Sequence, residues 1–330
     1  MLSYPITNAD WRAFDDFQLV WVLPIYIGLA AIEGLWASRR QGFDWWDFAV
    51  SIGDQLVRVL LIIFVSWSLF LPITRWAYAH RLQTIELSGP ATLAVLFVAQ
   101  EFMYYWYHRA AHRVRWFWMQ HRVHHSPNHL TLGASFRFGL LGKIAGGGLF
   151  FAPLAWLGFD PKAVGGMVSL NLLYQYWLHN TWVPKLGPLE WVLNTPSAHR
   201  VHHGANLCYL DANYGGVLIV FDRLFGTYVP EDAAEPPRYG LVQPMQGHNF
   251  VKIEFSEAWA LLQDLGRARS LRAVWGHLFG PPGWAPDGQG QTTEDLRRAA
   301  AQLKAADAVT AAAGAPNLPG LTPPGSRSAA

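Results

Sequence analysis

PATLAVLFVAQEFMYYWYHRAAH, residues 90–112, is an apolar run that continues without a break into two histidines, His108 and His112. In a helix of 3.6 residues per turn, an i, i+4 pair lies on one face, one turn apart, where both rings can reach one metal. The apolar part approaches the ~20 residues that cross a bilayer. Four more stretches resemble it, at about 17–36, 57–73, 144–159 and 163–183. Only Asp160-Pro161-Lys162 separates the last two, which reads as a helical hairpin. A polar arm with Asp10, Arg12, Asp15 and Asp16 precedes the first, and no small-residue cleavage site follows it, so it reads as an anchor and not a secretory signal. Arg58 and Arg75 flank the second, while Trp45, Trp46, Trp76, Trp106 and Trp182 crowd the ends as interfacial belts do. The expected fold is an all-α integral membrane protein of four to five transmembrane helices with a His-rich cap.

Composition agrees. Charged residues make up 15% of the 330, against about 25% in a soluble domain. Hydrophobic residues reach 52%, with 17 Trp and 19 Phe. A net charge of +2 with no basic block gives nucleic acid nothing to bind, so no nucleic-acid partner is expected. The single cysteine, Cys208, excludes an intramolecular disulfide, a thiolate zinc site and a Cys-ligated iron–sulfur cluster. Three segments follow: 1–89 as membrane anchor helices, 90–280 as the catalytic domain, and 281–330 as a Gly/Pro/Ala-rich tail. Within the tail a short helix is expected at about 293–313 and disorder beyond 314.

The 13 histidines are clustered. After His108 and His112 come His121-Arg-Val-His124-His125 and its repeat His199-Arg-Val-His202-His203. Offsets of i, i+3 and i+4 place all three rings of each triplet on one helix face. Imidazoles at this density repel when protonated and are costly to bury without a shared cation. His179, in the fifth apolar stretch with Gln175 one turn before it, is a ninth candidate ligand. Eight or nine nitrogens are too many for one zinc and suit two ions with four or five each. Iron, copper, zinc and nickel all accept such ligands, and counting does not choose among them. His80, His129, His248 and His277 are isolated. There is no metalloprotease helix, nucleophile elbow or Walker loop.

This order of motifs between apolar stretches resembles the fatty acid hydroxylase/sterol desaturase superfamily of membrane di-iron oxygenases. The segments EFMYYWYHR (101–109), HRVHHS (121–126), NLLYQYWLH (171–179), NTPSAHRVHHG (194–204) and NYGGVLIVFDRLFGT (213–227) are similar to its alkylglycerol monooxygenase-like branch. The resemblance covers roughly residues 90 to 255. It implies two iron ions held by His108, His112, His121, His124, His125, His199, His202 and His203, with His179 as a further ligand. It also implies O2 as oxidant and a lipid substrate taken from the bilayer. Some relatives have a second histidine where this chain has Gln175, so one coordination position is open, filled by water, or served by Gln175.

Electrons must come from a separate donor, since the chain shows no flavin, nicotinamide or haem fingerprint. The branch implies tetrahydrobiopterin; other members of the superfamily use an electron-transfer protein. Fatty-acyl, sterol or carotenoid hydroxylation or desaturation stands beside alkylglycerol ether cleavage, and a non-catalytic metal-binding or transport protein is the alternative of another class. Placing Arg39 and Arg40 on the cytoplasmic side puts the histidines there too, with Arg109, Arg113, Arg115 and Arg122, although Arg75 and Arg81 count against it. Arg109, Arg122 and Arg200 are expected to pair with lipid headgroups or carboxylates, or to face solvent. Glu101, Asp211 and Asp222 are candidate acceptors for imidazole N–H groups. Gly139, Gly142, Gly146, Gly147, Gly148, Gly165 and Gly166 either thin the walls of an alkyl slot between the third, fourth and fifth stretches or serve close helix packing.

Overall fold

The computed structural model describes residues 17–40, 42–65 and 71–313. The N-terminal arm and the tail beyond 313 lie outside the described residues. Among those described, the structure is helical and has no strand, only the isolated bridges Leu193–Leu218 and Gly204–Tyr239.

Helix α1, Gln18–Ser38, begins with one π-helical turn. Helix α2, Trp45–Phe64, starts where the Asp44 carboxylate accepts from the amides of Trp46 and Asp47 at 3.1 and 3.0 Å. After α3, Leu71–Ala79, the long helix α4 runs from Pro90 to Arg113. Val114 is extended (φ −126°, ψ 116°), which ends α4 and lets α5, Arg115–His124, fold back against it. Helices α6, Ala152–Leu157, and α7, Pro161–Tyr176, follow, the latter capped by Asp160 with Pro161 in its first turn. The cap holds α8 (Pro196–His202), α9 (Phe250–Arg267) and α10 (Leu271–Phe279), and α11, Thr293–Ala313, lies where the sequence places a short helix. Leu96 of α4 joins Leu154, Phe159, Ala163, Val164 and Met167 in one core cluster.

Only α1 among the described helices is long and apolar enough by itself to cross a membrane. The other four apolar stretches do not meet that test as described helices. The second extends beyond α2, which ends at Phe64, into residues 66–70 outside the description. The fourth is broken: Gly146 takes a left-handed φ of 84° and a 3-10 turn, Gly147–Phe151, follows before α6. The fifth is helical for 16 residues, about 24 Å, short of the ~30 Å hydrocarbon core. It stops because local side chains take over the backbone bonding: Asn180 donates to the Trp177 carbonyl and accepts from the Val183 amide. Apolar side chains nonetheless face outward along α1 (Trp21, Ile25, Ile32, Leu35) and α2 (Leu56, Leu60, Ile63, Phe64), far more than a water-facing surface carries. The part of the cap formed by α9 and α10 is not simply water-facing, since Val251, Trp259, Leu262, Leu271 and Trp275 are exposed there.

Two carboxyls bind the N-terminal helices to the cap. Asp54 of α2 accepts from the Phe138 amide at 2.7 Å, and Glu254 of α9 accepts from the Leu140 amide at 3.0 Å. Both are fully buried. Burial, reinforced by the charge on Asp54, pushes the Glu254 carboxyl up to about 8. Between about pH 4.5 and 8 the folded protein thus keeps a proton that the unfolded chain releases, and stability falls as pH rises through that window. Glu254→Gln preserves an acceptor for Leu140 without the charge. Thermal melting in detergent should show the wild type losing a few degrees relative to this variant between pH 5.5 and 8.5; parallel curves would contradict the assignment.

Candidate metal centre

The break at Val114 sets the site. It turns α5 so that His121 and His125 face His108 and His112 of α4, while His124 points to His179 and His203. Thr195 caps α8, accepting from the Ala198 amide, and Pro196 starts it, which brings His199, His202 and His203 in from the other side. His179 sits just past the end of α7. Its Nδ1 donates to the Gln175 carbonyl at 2.8 Å, an acceptor it shares with the Leu178 amide at 3.1 Å. All nine rings come together, and all are buried except the half-buried His121.

They form two groups, His108, His112, His121, His125 and His202 in one and His124, His179, His199 and His203 in the other. Within each, one ring nitrogen per residue lies within 4.8 Å of the rest. Each triplet serves both groups, which its shared helix face alone does not reveal. His121 and His125 (i, i+4) enter the first and His124 the second; His199 and His203 enter the second and His202 the first. The two groups are therefore linked through the same two short helices, with His108 and His112 of α4 completing the first and His179 the second.

The hydrogen bonds fix the tautomers. Nδ1 of His108 faces the Tyr214 carbonyl (2.8 Å), that of His124 the Arg137 carbonyl (2.9 Å), and that of His202 the Ala212 carbonyl (3.0 Å). A carbonyl only accepts, so each Nδ1 carries the proton and each Nε2 presents a lone pair. His124 Nε2 and His179 Nε2 then meet at 3.4 Å with no proton between them. That contact repels unless a cation lies between the rings. Nε2 of His112 and of His202 are buried with no hydrogen-bond partner. Adding protons is not the remedy: burial lowers His124 to about 4 and His202 to about 3, and burial together with neighbouring imidazoles holds His108, His112, His121, His125, His199 and His203 well below the ordinary histidine range. Neutral, convergent lone pairs of this kind fit metal ions.

Carboxylates shape the site at one remove. Glu101 and Asp222 do not touch an imidazole. Glu101 accepts from the amides of Val217 and Leu218 at 2.8 and 2.9 Å and from Asn171. Asp222 accepts from the amides of Tyr214 and Gly215, both at 2.7 Å, and so fixes the carbonyl that orients His108. Asp211 stands 3.8 Å from His112 Nδ1 and is bonded to Arg113 at 2.6 Å. Backbone carbonyls therefore take the part the sequence assigns to these acids. Gln175 is not in either group: its amide bonds Tyr104 and Asn171. Arg200 makes a two-pronged pair with Glu231 (2.8 and 2.7 Å), and Arg122 bonds Ser256, with Glu257 at 3.7 Å, whereas Arg109 bonds Tyr105 and lies over Trp106.

Two supporting residues escape the sequence reading. Arg137, fully buried, ties Ser126 to Asp47 while its carbonyl holds His124. Asn213, at φ 57°, bonds Ala198 and Val229 through its side chain and turns the 212–214 loop that presents two of the carbonyls. Its residue type, tolerant of left-handed backbone, in Asn213-Tyr-Gly-Gly is the only cue. Of the isolated histidines, His248 pairs with Asp44, His80 bonds the Trp76 carbonyl, and His277 packs on Trp284. Gly147 packs tightly, since a side chain there would strike the Tyr107 ring, but Gly148 and Gly165 face open space.

Removing the anchor of the 214–215 amides should loosen His108. Asp222→Ala is expected to weaken metal affinity by about 10–100-fold, as losses behind metal-bound histidines do, with Asp222→Asn intermediate. Metal retention during graded chelation reads this directly, and wild-type retention in the Ala variant would contradict it.

The comparisons point the same way. The family model described as Fatty acid hydroxylase matches residues 93–227. The alkylglycerol monooxygenase of Homo sapiens is 37% identical over 207 residues, 63% of this chain and 46% of the human protein. That of Danio rerio is 33% identical over 267 residues, 80% of this chain and 59% of its own. The ornithine lipid hydroxylase of Rhizobium tropici is 26% identical over 261 residues, 72% and 74% of the two chains. The chain spans about half the length of these alkylglycerol monooxygenases. No solved structure matches. All nine clustered histidines lie inside residues 93–227, the segment that matches the fatty acid hydroxylase model, and the chain around them is similar to the alkylglycerol monooxygenases.

Proposed function

We propose that the protein is a membrane-bound di-iron oxygenase that hydroxylates a lipid, with His108, His112, His121, His125 and His202 around one iron and His124, His179, His199 and His203 around the other. The observation that carries this reading is the interleaving of two buried, neutral imidazole groups whose lone pairs converge. Two irons bound there supply O2 activation and the oxidising power to attack an unactivated C–H bond. The residues of the chain hold the imidazoles neutral and fixed, and they exclude water. Tyr214 lies 5.4 Å from the His112 ring, and Trp118 lies 5.4 and 5.9 Å from His112 and His125, walling the first group.

Homology to the alkylglycerol monooxygenases supports ether-lipid cleavage as the reaction. Hydroxylation of the carbon next to the ether oxygen uses one O2, two electrons and two protons, and releases one water. The resulting hemiacetal collapses to a fatty aldehyde and a glycerol. A separate donor supplies the electrons, and tetrahydrobiopterin is the one that the relatives' branch implies. The outward apolar faces of α1 and α2 support a bilayer setting for residues 1–89, with four to five spans in all and the histidine site of the 90–280 domain on the cytoplasmic side.

Protein purified in detergent, supplied with iron, O2 and a pterin reductant, should release fatty aldehyde from an alkylglycerol. His124→Ala and His202→Ala, one from each group, should each abolish it, because neither iron acts without the other. If alkylglycerols are untouched and an acyl chain is hydroxylated, as the name of the Rhizobium relative would suggest, the ether-cleavage reading fails and the di-iron oxygenase stands.

A further inference from the structure

A cavity of about 400 Å³ opens between the C-terminal turn of α1 and the N-terminal turns of α2. It does not lie between the third, fourth and fifth apolar stretches. The loops that directly follow the histidine motifs close it, 129–131 after His125 and 181–182 after His179. A smaller hollow of about 140 Å³ shares Asp44, Asp47 and His129 with it and reaches Ser126, the residue next to His125. The two hollows thus adjoin at the end of α1, and the smaller is lined by the residue that follows His125 in the sequence.

The lining has two characters. Trp36, Phe43, Phe48, Leu130 and Trp182 supply aromatic and apolar wall, and Glu33, Asp44, Asp47, Thr131 and Thr181 supply oxygen. No Lys or Arg lines the larger cavity, whose one imidazole is His129; Arg137 and His248 line only the smaller hollow, where they pair with Asp47 and Asp44. Each carboxylate is already partly engaged. Glu33 accepts from the Leu132 amide and the Trp182 indole at 2.6 and 3.0 Å, Asp47 pairs with Arg137 at 2.9 Å, and Asp44 pairs with His248 at 2.7 Å. Such oxygens retain lone pairs for hydroxyl donors, are too well compensated to demand a cation, and repel a phosphate.

We infer that this cavity binds the headgroup of the lipid substrate, and that it selects an uncharged, hydroxyl-bearing headgroup over a phosphorylated one. The inference rests on the lipid-oxygenase reading above and adds where the polar end sits and what it is. Its volume falls in the range of small-molecule sites and exceeds a glycerol unit, which leaves room for the first carbons of the chain against the aromatic wall. The position suits a ligand arriving from the bilayer. Trp36, Trp45, Trp46 and Trp182 are all exposed at this end, and Arg39 and Arg40 follow α1, as residues at a membrane interface do.

The test measures binding apart from turnover. Titration calorimetry of the detergent-solubilised protein compares 1-O-hexylglycerol with hexyl phosphate and hexylammonium. The diol should bind at least about tenfold (about 1.4 kcal/mol) more tightly than the phosphate. Asp44→Asn keeps a good helix cap while removing one charge, so the fold should survive and the margin over phosphate should shrink about threefold or more. Glu33→Gln, at the opposite wall, should shrink it likewise. Equal binding of diol and phosphate, or a margin unmoved in both variants, would overturn the assignment. Tighter binding of hexylammonium would overturn it too, giving the cavity to a cationic headgroup. Aldehyde release is measured in parallel: selective binding without it would sustain the cavity and remove ether cleavage.

Discussion

Nine imidazoles converge in one buried site, and where His124 meets His179 two ring lone pairs face each other with no proton between them. In water each would be solvated, and protonated below its ordinary range. Here burial opposes the charge, and carbonyls at Tyr214, Arg137, Gln175 and Ala212 hold the proton on the far side of four of the rings, His108, His124, His179 and His202. The lone pairs are left facing one another. Only a cation shared among them relieves that, and the rest of the architecture follows from keeping the rings in place until it does.

The supports are mostly backbone, and carboxylates hold the backbone in turn. Asp222 fixes the 214–215 amides, Glu101 the 217–218 amides, and Asp54 with Glu254 the 138 and 140 amides. These carboxylates come from α2, α4, α9 and the turn at Val220–Leu224, so the helices are tied together through the loops that face the histidines. Phe138 adds to this: its ring stacks on His124 while its amide is held by Asp54. A change far along the chain, at Glu254 for example, therefore reaches the site through one loop.

Much of this was legible in the sequence, and for a physical reason. Helical spacing of i, i+3 and i+4 is local, so the histidine clusters and the helices that carry them could be read from a few residues each. The all-helical class and the helix at 293–313 were readable for the same reason. What was not readable is non-local. Which ring joins which group depends on the turn at Val114 and on how α8 meets α5. The reach of Glu101 to residues 217–218 spans more than a hundred positions. The simple spans expected from apolar runs gave way at Gly146 and Tyr176, because hydrophobicity reports where a segment is comfortable and not whether its backbone stays helical. The cavity, too, lies between elements the sequence placed in different domains.

Metal stoichiometry tests the central claim most directly. Elemental analysis of the iron-loaded protein should find about two ions per chain, one for each group of rings. Replacing His108 and His112 together by Ala leaves three nitrogens in the first group, and His179→Ala leaves three in the second. The account predicts that each of these two variants retains about one ion and that their combination retains almost none. A wild type holding a single ion, or full occupancy in both variants, would contradict it.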